Sequence, residues 1–308
     1  MNPGNHGAGI PTAGANGISL AFEVFGRRGA PPVLLIMGLG TQMVVWDADF
    51  CRLLADRGLR VVRFDNRDVG LSTRFDEAGV PVFTSAAPPI PVYTLADMAA
   101  DVAGLMDALG FEAAHLVGLS MGGMIGQEAA VDFPDRVASL VSLMSTTGNP
   151  ALPPPTPEAA EILMTPFPTD RSGFVASFAN AYRVLAGGGF AVDPERVRRW
   201  AEESFERGLS PGGVARQYAA ILAAGDRRTR LSRISAPTLV LHGEVDPLLR
   251  VECGIDTAAA IPGAEFEAVP GMGHCLPEAL WPRLADRIAA HVRRFAAARN
   301  LGRSPDGR

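Results

Sequence analysis

The chain has 308 residues, 47% of them hydrophobic, which is ample for a sizeable core in one large domain or one domain carrying an insertion. Its 28 basic and 33 acidic residues give a net charge of −5 without a basic tract, which argues against nucleic acid as a main partner. No uninterrupted apolar stretch is long enough to span a bilayer, and residues 1–17 lack the charged start and apolar core of a signal peptide.

In chain order, residues 18–25 alternate weakly and predict a strand. Pro31 and Pro32 punctuate, and 33–37 form the short apolar run of a strand buried on both faces. Residues 47–57 predict a helix with Phe50, Leu53 and Leu54 on one face. A strand follows at 59–64, interrupted by Arg60 and Arg63, and then a loop at 65–73. Thr94 predicts a helix cap with Asp97 at the capping-box position. Leu95, Met98, Val102, Leu105, Met106 and Leu109 then recur at helical spacing until Gly110. Next come a strand to Val117, a turn at Ser120, a helix to about residue 132 and a strand near 140–144. From 148 to 233 the rhythm changes. Pro150, Pro153, Pro154, Pro155 and Pro157 form a linker, and helix-like segments follow at 158–164, 171–185, 194–207 and 212–224, interrupted by Gly187, Gly188 and Gly189. Strands resume at 238–241 and 265–269, before a closing helix at 280–296 with Leu284, Ile288, Val292 and Phe295 on its apolar face. This alternation predicts an α/β fold with a mostly parallel sheet flanked by helices. Residues 1–148 and 234–298 form the core, 149–233 a helical cap inserted into it, and 299–308 a flexible tail. An independent helical domain is the other reading of 149–233, but the strand–helix pattern resumes after it as though uninterrupted.

The most informative stretch is Gly118-Leu119-Ser120-Met121-Gly122, set between a strand-type and a helix-type run. Glycines on either side allow a sharp turn, with the serine hydroxyl at its apex beside the positive end of a helix. A glycine-rich structural turn is the plain alternative. A serine hydroxyl is a weak nucleophile at neutral pH and needs a base, itself oriented by a carboxylate. Of the five histidines, His6 lies in the flexible start, His115 within the strand before Ser120, His242 at a strand end and His291 in the closing helix. His274 lies in the glycine-rich loop after the last strand, where an imidazole can return across the sheet edge. Asp246 follows the preceding strand and precedes Pro247, which biases it to extended backbone; Glu244 is its rival. The order Ser120, Asp246, His274 is that of nucleophile, acid and base in one known fold class. An oxyanion requires two backbone donors, assigned to Met121 and to Leu39 in Met37-Gly38-Leu39-Gly40, with Gly40 as the alternative.

With Asp65-Asn66-Arg67-Asp68-Val69-Gly70-Leu71-Ser72 and His242-Gly243-Glu244-Val245-Asp246, these motifs resemble the α/β-hydrolase fold superfamily across nearly the whole chain outside the insertion. The Met-Gly loop and residues 65–72 are similar to the aclacinomycin methylesterase-like branch of carboxylesterases. The resemblance implies a serine carboxylesterase. Relatives with an aspartate nucleophile, the haloalkane dehalogenases and epoxide hydrolases, are disfavoured by Ser120. Two departures stand out. Met37 replaces the histidine common before that glycine, so the hydrogen bonds of its ring are lost. Asp68 stands where glycine is usual, forming a local ion pair with Arg67 or merely a turn.

The expectation is therefore a cytoplasmic serine hydrolase of carboxylic esters, acting on a small molecule without metal or cofactor and without a membrane partner. The sequence leaves the oligomeric state open. The alternatives are thioester, amide or C–C bond hydrolysis or perhydrolysis on the same triad, a non-catalytic ligand-binding protein of this fold, and a lipase working at a lipid surface. Phe167, Phe174, Phe178, Tyr182, Trp200, Phe205 and Tyr218 either line an apolar pocket or form the insertion's own core. Cys51, Cys253 and Cys275 suggest no disulfide framework or zinc pattern. Cys275, next to His274, is either close to the site or a packing residue.

Overall fold

The structure is a computed structural model that describes residues 9–84 and 88–300, the last four by their backbone alone. The elements run β1 Thr12–Ala15, β2 Ile18–Phe25, β3 Pro32–Ile36, α1 Ala48–Asp56, β4 Arg60–Phe64, α2 Leu95–Ala108, β5 Ala114–Leu119, α3 Met121–Asp132 and β6 Val137–Leu143. Five helices follow: α4 Pro157–Met164, α5 Arg171–Leu185, α6 Pro194–Arg207, α7 Pro211–Ala224 and α8 Arg228–Leu231. The chain ends with β7 Thr238–Gly243, α9 Val251–Ala260, β8 Glu265–Val269 and α10 Trp281–Asn300.

The eight strands form one sheet in the order β1-β2-β4-β3-β5-β6-β7-β8. From β4 across to β8 neighbouring strands are parallel, while β2 pairs antiparallel with both β1 and β4. Alternation along the strands divides the core. Leu34 and Ile36 of β3 lie with Leu116 and Leu140 on the face covered by α2 and α3, packing against Val102, Met106 and Ile125. Val33, Leu35, Val117, Val141 and Leu239 face Phe50 and Leu54 of α1 and Leu284 and Ile288 of α10. Burying each such aliphatic side chain contributes roughly 1.5–3 kcal/mol, and a one-residue slip in register would send every side chain into the opposite layer and spoil the packing of both.

Local signals fix the helix starts. Thr94 and Asp97 form the full capping box at α2. The Asp47, Asp170 and Asp193 side chains cap α1, α5 and α6, and Thr156 caps α4 ahead of Pro157. Three elements carry no clear signal in the sequence. β1 lies in the glycine-rich start, four residues of which only Ala15 is buried. The short α8 and α9 were likewise not expected. At the other end α10 runs to Asn300, so Arg299 and Asn300 continue a helix rather than begin a tail. His6, with the rest of 1–8, and residues 301–308 lie outside the described residues. Between β6 and β7 the described residues form helices and no strand.

Because β3 to β8 are parallel, the loops after β3, β4, β5, β7 and β8 emerge along one edge of the sheet. Open α/β sheets bind ligands outside this carboxyl edge.

Candidate active site

Ser120 forms the joint between β5 and α3, with φ 57° and ψ −120°. This is left-handed backbone for a residue with a side chain, a strain of about 1–3 kcal/mol that the surroundings must hold. The Ser120 amide donates to Leu143 O at 2.9 Å, and Ser145 Oγ donates to Ser120 O at 2.8 Å. The glycines of the motif are there for space. A Cβ at Gly118 would lie 2.1 Å from Gly122 O, and one at Gly122 would lie 2.1 Å from Ile36 O.

Asp246, after β7, is 1% exposed, whereas Glu244 points to solvent, so the sequence rival falls away. Asp246 Oδ1 accepts from the Leu248 and Leu249 amides, each at 2.9 Å. Its Oδ2 lies 2.7 Å from His274 Nδ1. A carboxylate only accepts, so Nδ1 carries the proton and Nε2 is left as the basic nitrogen. Burial by itself would raise the Asp246 pKa. The His274 ring, the hydrogen bond from His242 and that from His274 outweigh it, and the pKa falls from 3.8 to about 2. His242 Nε2 sits 2.7 Å from Leu249 O and 3.5 Å from Asp246 Oδ2. The other histidines of the described residues stand elsewhere: His115 Nδ1 pairs with Ser139 Oγ, and His291 is buried on α10 near Pro237 O.

Ser120 and His274 line one cavity of about 530 Å³, together with Met37, Gly38, Leu39 and Gly40 from the loop after β3. Met121 heads α3, so its amide is one of the first-turn donors without an intrahelical acceptor. The Gly40 amide, by contrast, already donates to Gln217 Oε1 at 2.8 Å.

The far wall comes from the helical segment. Phe167, Phe174, Phe178, Tyr182 and Tyr218 line the cavity, whereas Trp200 and Phe205 do not. Trp200 packs on Tyr182 and donates its Nε1–H to Asp47 Oδ2 at 3.0 Å, and Phe205 packs on Phe174. The seven aromatics thus divide between the two expectations. Cys275 lines the cavity but is buried, and burial pushes its thiol pKa up, away from the reactive thiolate. Among the described residues no group of three or more His, Cys, Asp or Glu is arranged to hold a metal ion. Nor is any helix long and apolar enough to cross a membrane.

Asp68 departs from expectation. Its partner is not the adjacent Arg67, which pairs instead with Asp101 at 2.6 Å. Asp68, fully buried, receives both arms of Arg216 from α7 at 2.8 and 2.7 Å, with Tyr93 Oη at 2.7 Å and the Phe75 amide at 2.8 Å. Burial opposes its ionisation, but the Arg216, Phe75 and Tyr93 hydrogen bonds prevail and its pKa is lowered. Two further carboxylates of the sheet-edge loops also take a guanidinium from the insertion: Asp65 pairs with Arg207, and Asp47 with Arg196 at 2.9 Å. Sequence reasoning missed Arg196, Arg207, Arg216 and Gln217 altogether. The signal was there in α7, where Gly213, Arg216, Gln217 and Ala220 fall at i, i+3, i+4 and i+7, so two large polar residues sit on the buried stripe.

The comparisons with known proteins agree with this fold. The model of the α/β hydrolase fold matches residues 31–278. The chain belongs to the α/β-hydrolase fold family. It is similar to the rhodomycin D methylesterase DauP of Streptomyces sp. (strain C5), 29% identical over 303 residues covering 90% of this chain and 95% of that one. It is also similar to RutD of Variovorax paradoxus, provisionally named a carbamate hydrolase, with 31% identity over 257 residues covering 83% and 89%. Among solved structures, the meta-cleavage product hydrolase CumD of Pseudomonas fluorescens superimposes with a TM-score of 0.74 at 20% identity, covering 92% of this chain and 98% of that one. The resemblance to the methylesterase-like branch is thus borne out, and these relatives are hydrolases.

Proposed function

We propose that this chain is a serine hydrolase cleaving carboxylic esters of apolar small molecules through an acyl-enzyme on Ser120. His274 Nε2 takes the Ser120 proton as Oγ attacks the ester carbonyl. The Leu39 and Met121 amides hold the developing oxyanion, a role to which Gly40 is less suited because its amide is already engaged by Gln217. The alcohol leaves with the proton from His274. Water, activated in turn by His274, then releases the acid. Asp246 fixes the imidazole tautomer and stabilises its charge. The segment 149–233 acts as a cap whose aromatic side chains receive the apolar part of the substrate.

The observation that carries this reading is the 2.7 Å hydrogen bond from His274 to a buried, ionised Asp246, on a cavity that Ser120 also lines. The methylesterase relatives support an ester, and the RutD relative supports carbamate cleavage as a second reading on the same residues. A series of p-nitrophenyl esters of rising acyl length, with Ser120→Ala alongside, tests it. Turnover that peaks at one length and vanishes in the variant is expected. Turnover surviving in Ser120→Ala contradicts the nucleophile. Turnover with no ester shifts the reading to C–C, thioester or amide cleavage, or to ligand binding.

A further inference from the structure

We infer that Gln217, on helix α7 of the insertion, is the positioning residue of the oxyanion loop. This rests on the serine hydrolase reading above. The loop Met37–Thr41 leaves the sheet without the histidine that commonly braces it. Two buried carboxamides brace it instead. Asn66 Nδ2 donates to Met37 O at 2.9 Å where the loop begins. Gln217 Oε1 accepts from the Gly40 amide at 2.8 Å at its far end, immediately after Leu39. Gln217 is fully buried and has no slack, because its Nε2 donates at 2.8 Å to Arg67 O in the loop after β4. The helix is held close as well. Val214 of α7 packs so tightly on Gly40 that a Cβ there would lie 2.7 Å from Val214 Cγ2. Next to Gln217, Arg216 locks α7 to Asp68. The peptide between Leu39 and Gly40 is thereby oriented from its Gly40 side by a residue of the segment that also walls the substrate cavity. The Leu39 amide lies in the preceding peptide, so Gln217 holds it through a single residue, and the oxyanion donor is aligned when the insertion is seated on the core.

The test uses three variants of the full chain. Gln217→Met fills the space without an acceptor. Gln217→Asn keeps the carboxamide but is one methylene short, and carries the test if the Met variant fails to fold. Gln217→Glu keeps an oxygen facing Gly40. Each is assayed with a p-nitrophenyl ester, a trifluoromethyl ketone that forms a hemiketal oxyanion on the serine, and the matching methyl ketone as ground-state ligand. Gln217→Met and Gln217→Asn should lower kcat by about 10- to 100-fold, as small misplacements of a catalytic group do. KM and methyl ketone binding should stay within about twofold, while trifluoromethyl ketone affinity falls in step with kcat/KM. Gln217→Glu, which keeps the acceptor for Gly40 but loses the donor to Arg67 O, should have a kcat above that of Gln217→Met and below that of the wild type. An unchanged kcat in a folded Met or Asn variant overturns the inference, as does a loss that the trifluoromethyl ketone does not share. A wild-type protein that neither turns over ester nor binds the trifluoromethyl ketone overturns the hydrolase reading beneath it, and the wild-type arm alone reveals that.

Discussion

On its sheet side the cavity is walled by loops whose places follow from strand register: Ser120 after β5, Asp246 after β7, His274 after β8. On its other side it is walled by side chains of α4, α5 and α7, among them Ile162, Phe174, Phe178, Tyr182 and Tyr218. The sheet side fixes its polar groups by backbone, through the Leu143–Ser120 ladder contact and the two amides on Asp246 Oδ1. The insertion is fixed largely by side chains, the Arg196, Arg207 and Arg216 pairs with Asp47, Asp65 and Asp68 and the Gln217 bridge, with a few backbone contacts beside them, among them the His274 amide to Leu185 O at 2.7 Å and the Thr156 amide to Pro247 O at 2.8 Å. Backbone positioning is cooperative with the whole sheet. Side-chain positioning depends on a few residues, any of which one substitution removes. The difference suggests that substitutions on the sheet side stop the chemistry in a protein that still folds, while those in the seam loosen the insertion and its binding.

The sharpest way to break this comparison is at the base. His274→Ala should lower kcat about ten-thousand-fold or more with little change in thermal midpoint, and Asp246→Asn about ten-thousand-fold. A loss below tenfold in either would put the chemistry elsewhere. The seam comes next. Arg216→Met leaves Asp68 buried without its cation and should destabilise the protein by about 3–5 kcal/mol in urea titration, while breaking the exposed Arg198–Glu195 pair should cost at most about 1 kcal/mol. Equal effects of the two would deny that the buried pair holds the insertion. Adding Asp68→Asn to Arg216→Met should return part of the loss. Smaller again, Phe178→Ala should raise KM for long-chain esters by about tenfold, the equivalent of losing part of a buried aromatic, and leave short-chain esters nearly unchanged. A uniform change across chain lengths would remove Phe178 from the binding wall.

The mildest effect is in pH. Asp246 has its pKa depressed from 3.8 to about 2, so its ionisation stabilises the fold fully above pH 3.8, and that contribution is lost as pH falls through about 2. Acid unfolding followed by circular dichroism should therefore show a smaller drop in stability between those values in Asp246→Asn than in the wild type. Identical acid profiles would mean that Asp246 gains nothing from its partners.

The two walls also differed in how readable they were. The central strands β3, β5 and β7 stand out as largely apolar runs, because burial on both faces favours such residues, while β8 at the edge carries Glu265 and Glu267; Ser120, Asp246 and His274 lie just beyond the ends of β5, β7 and β8. β1 escaped because an edge strand of four residues buries too little to need an apolar pattern. In the insertion, periodicity found four of the five helices yet not what their faces touch. Phe178 and Phe205 look alike in sequence, but one faces the cavity and the other packs on Phe174. Asp68 stands out in the sequence and reads as a local ion pair with Arg67 or merely a turn, but its guanidinium comes from Arg216, far along the chain, and no local rule reaches it. The triple glycine was readable as an interruption. Its use was not: at Gly189 the chain passes so near the His274 loop that a Cβ would lie 2.0 Å from Gly271 O.

The most direct test of the central claim is covalent. The wild-type protein is incubated with a fluorophosphonate probe, digested and mapped by mass spectrometry, with His274→Ala treated in parallel. The account predicts one adduct, on Ser120, formed rapidly in the wild type and slowed by orders of magnitude in His274→Ala. An unlabelled wild-type protein, or an adduct on Ser120 that forms equally fast without His274, would contradict it.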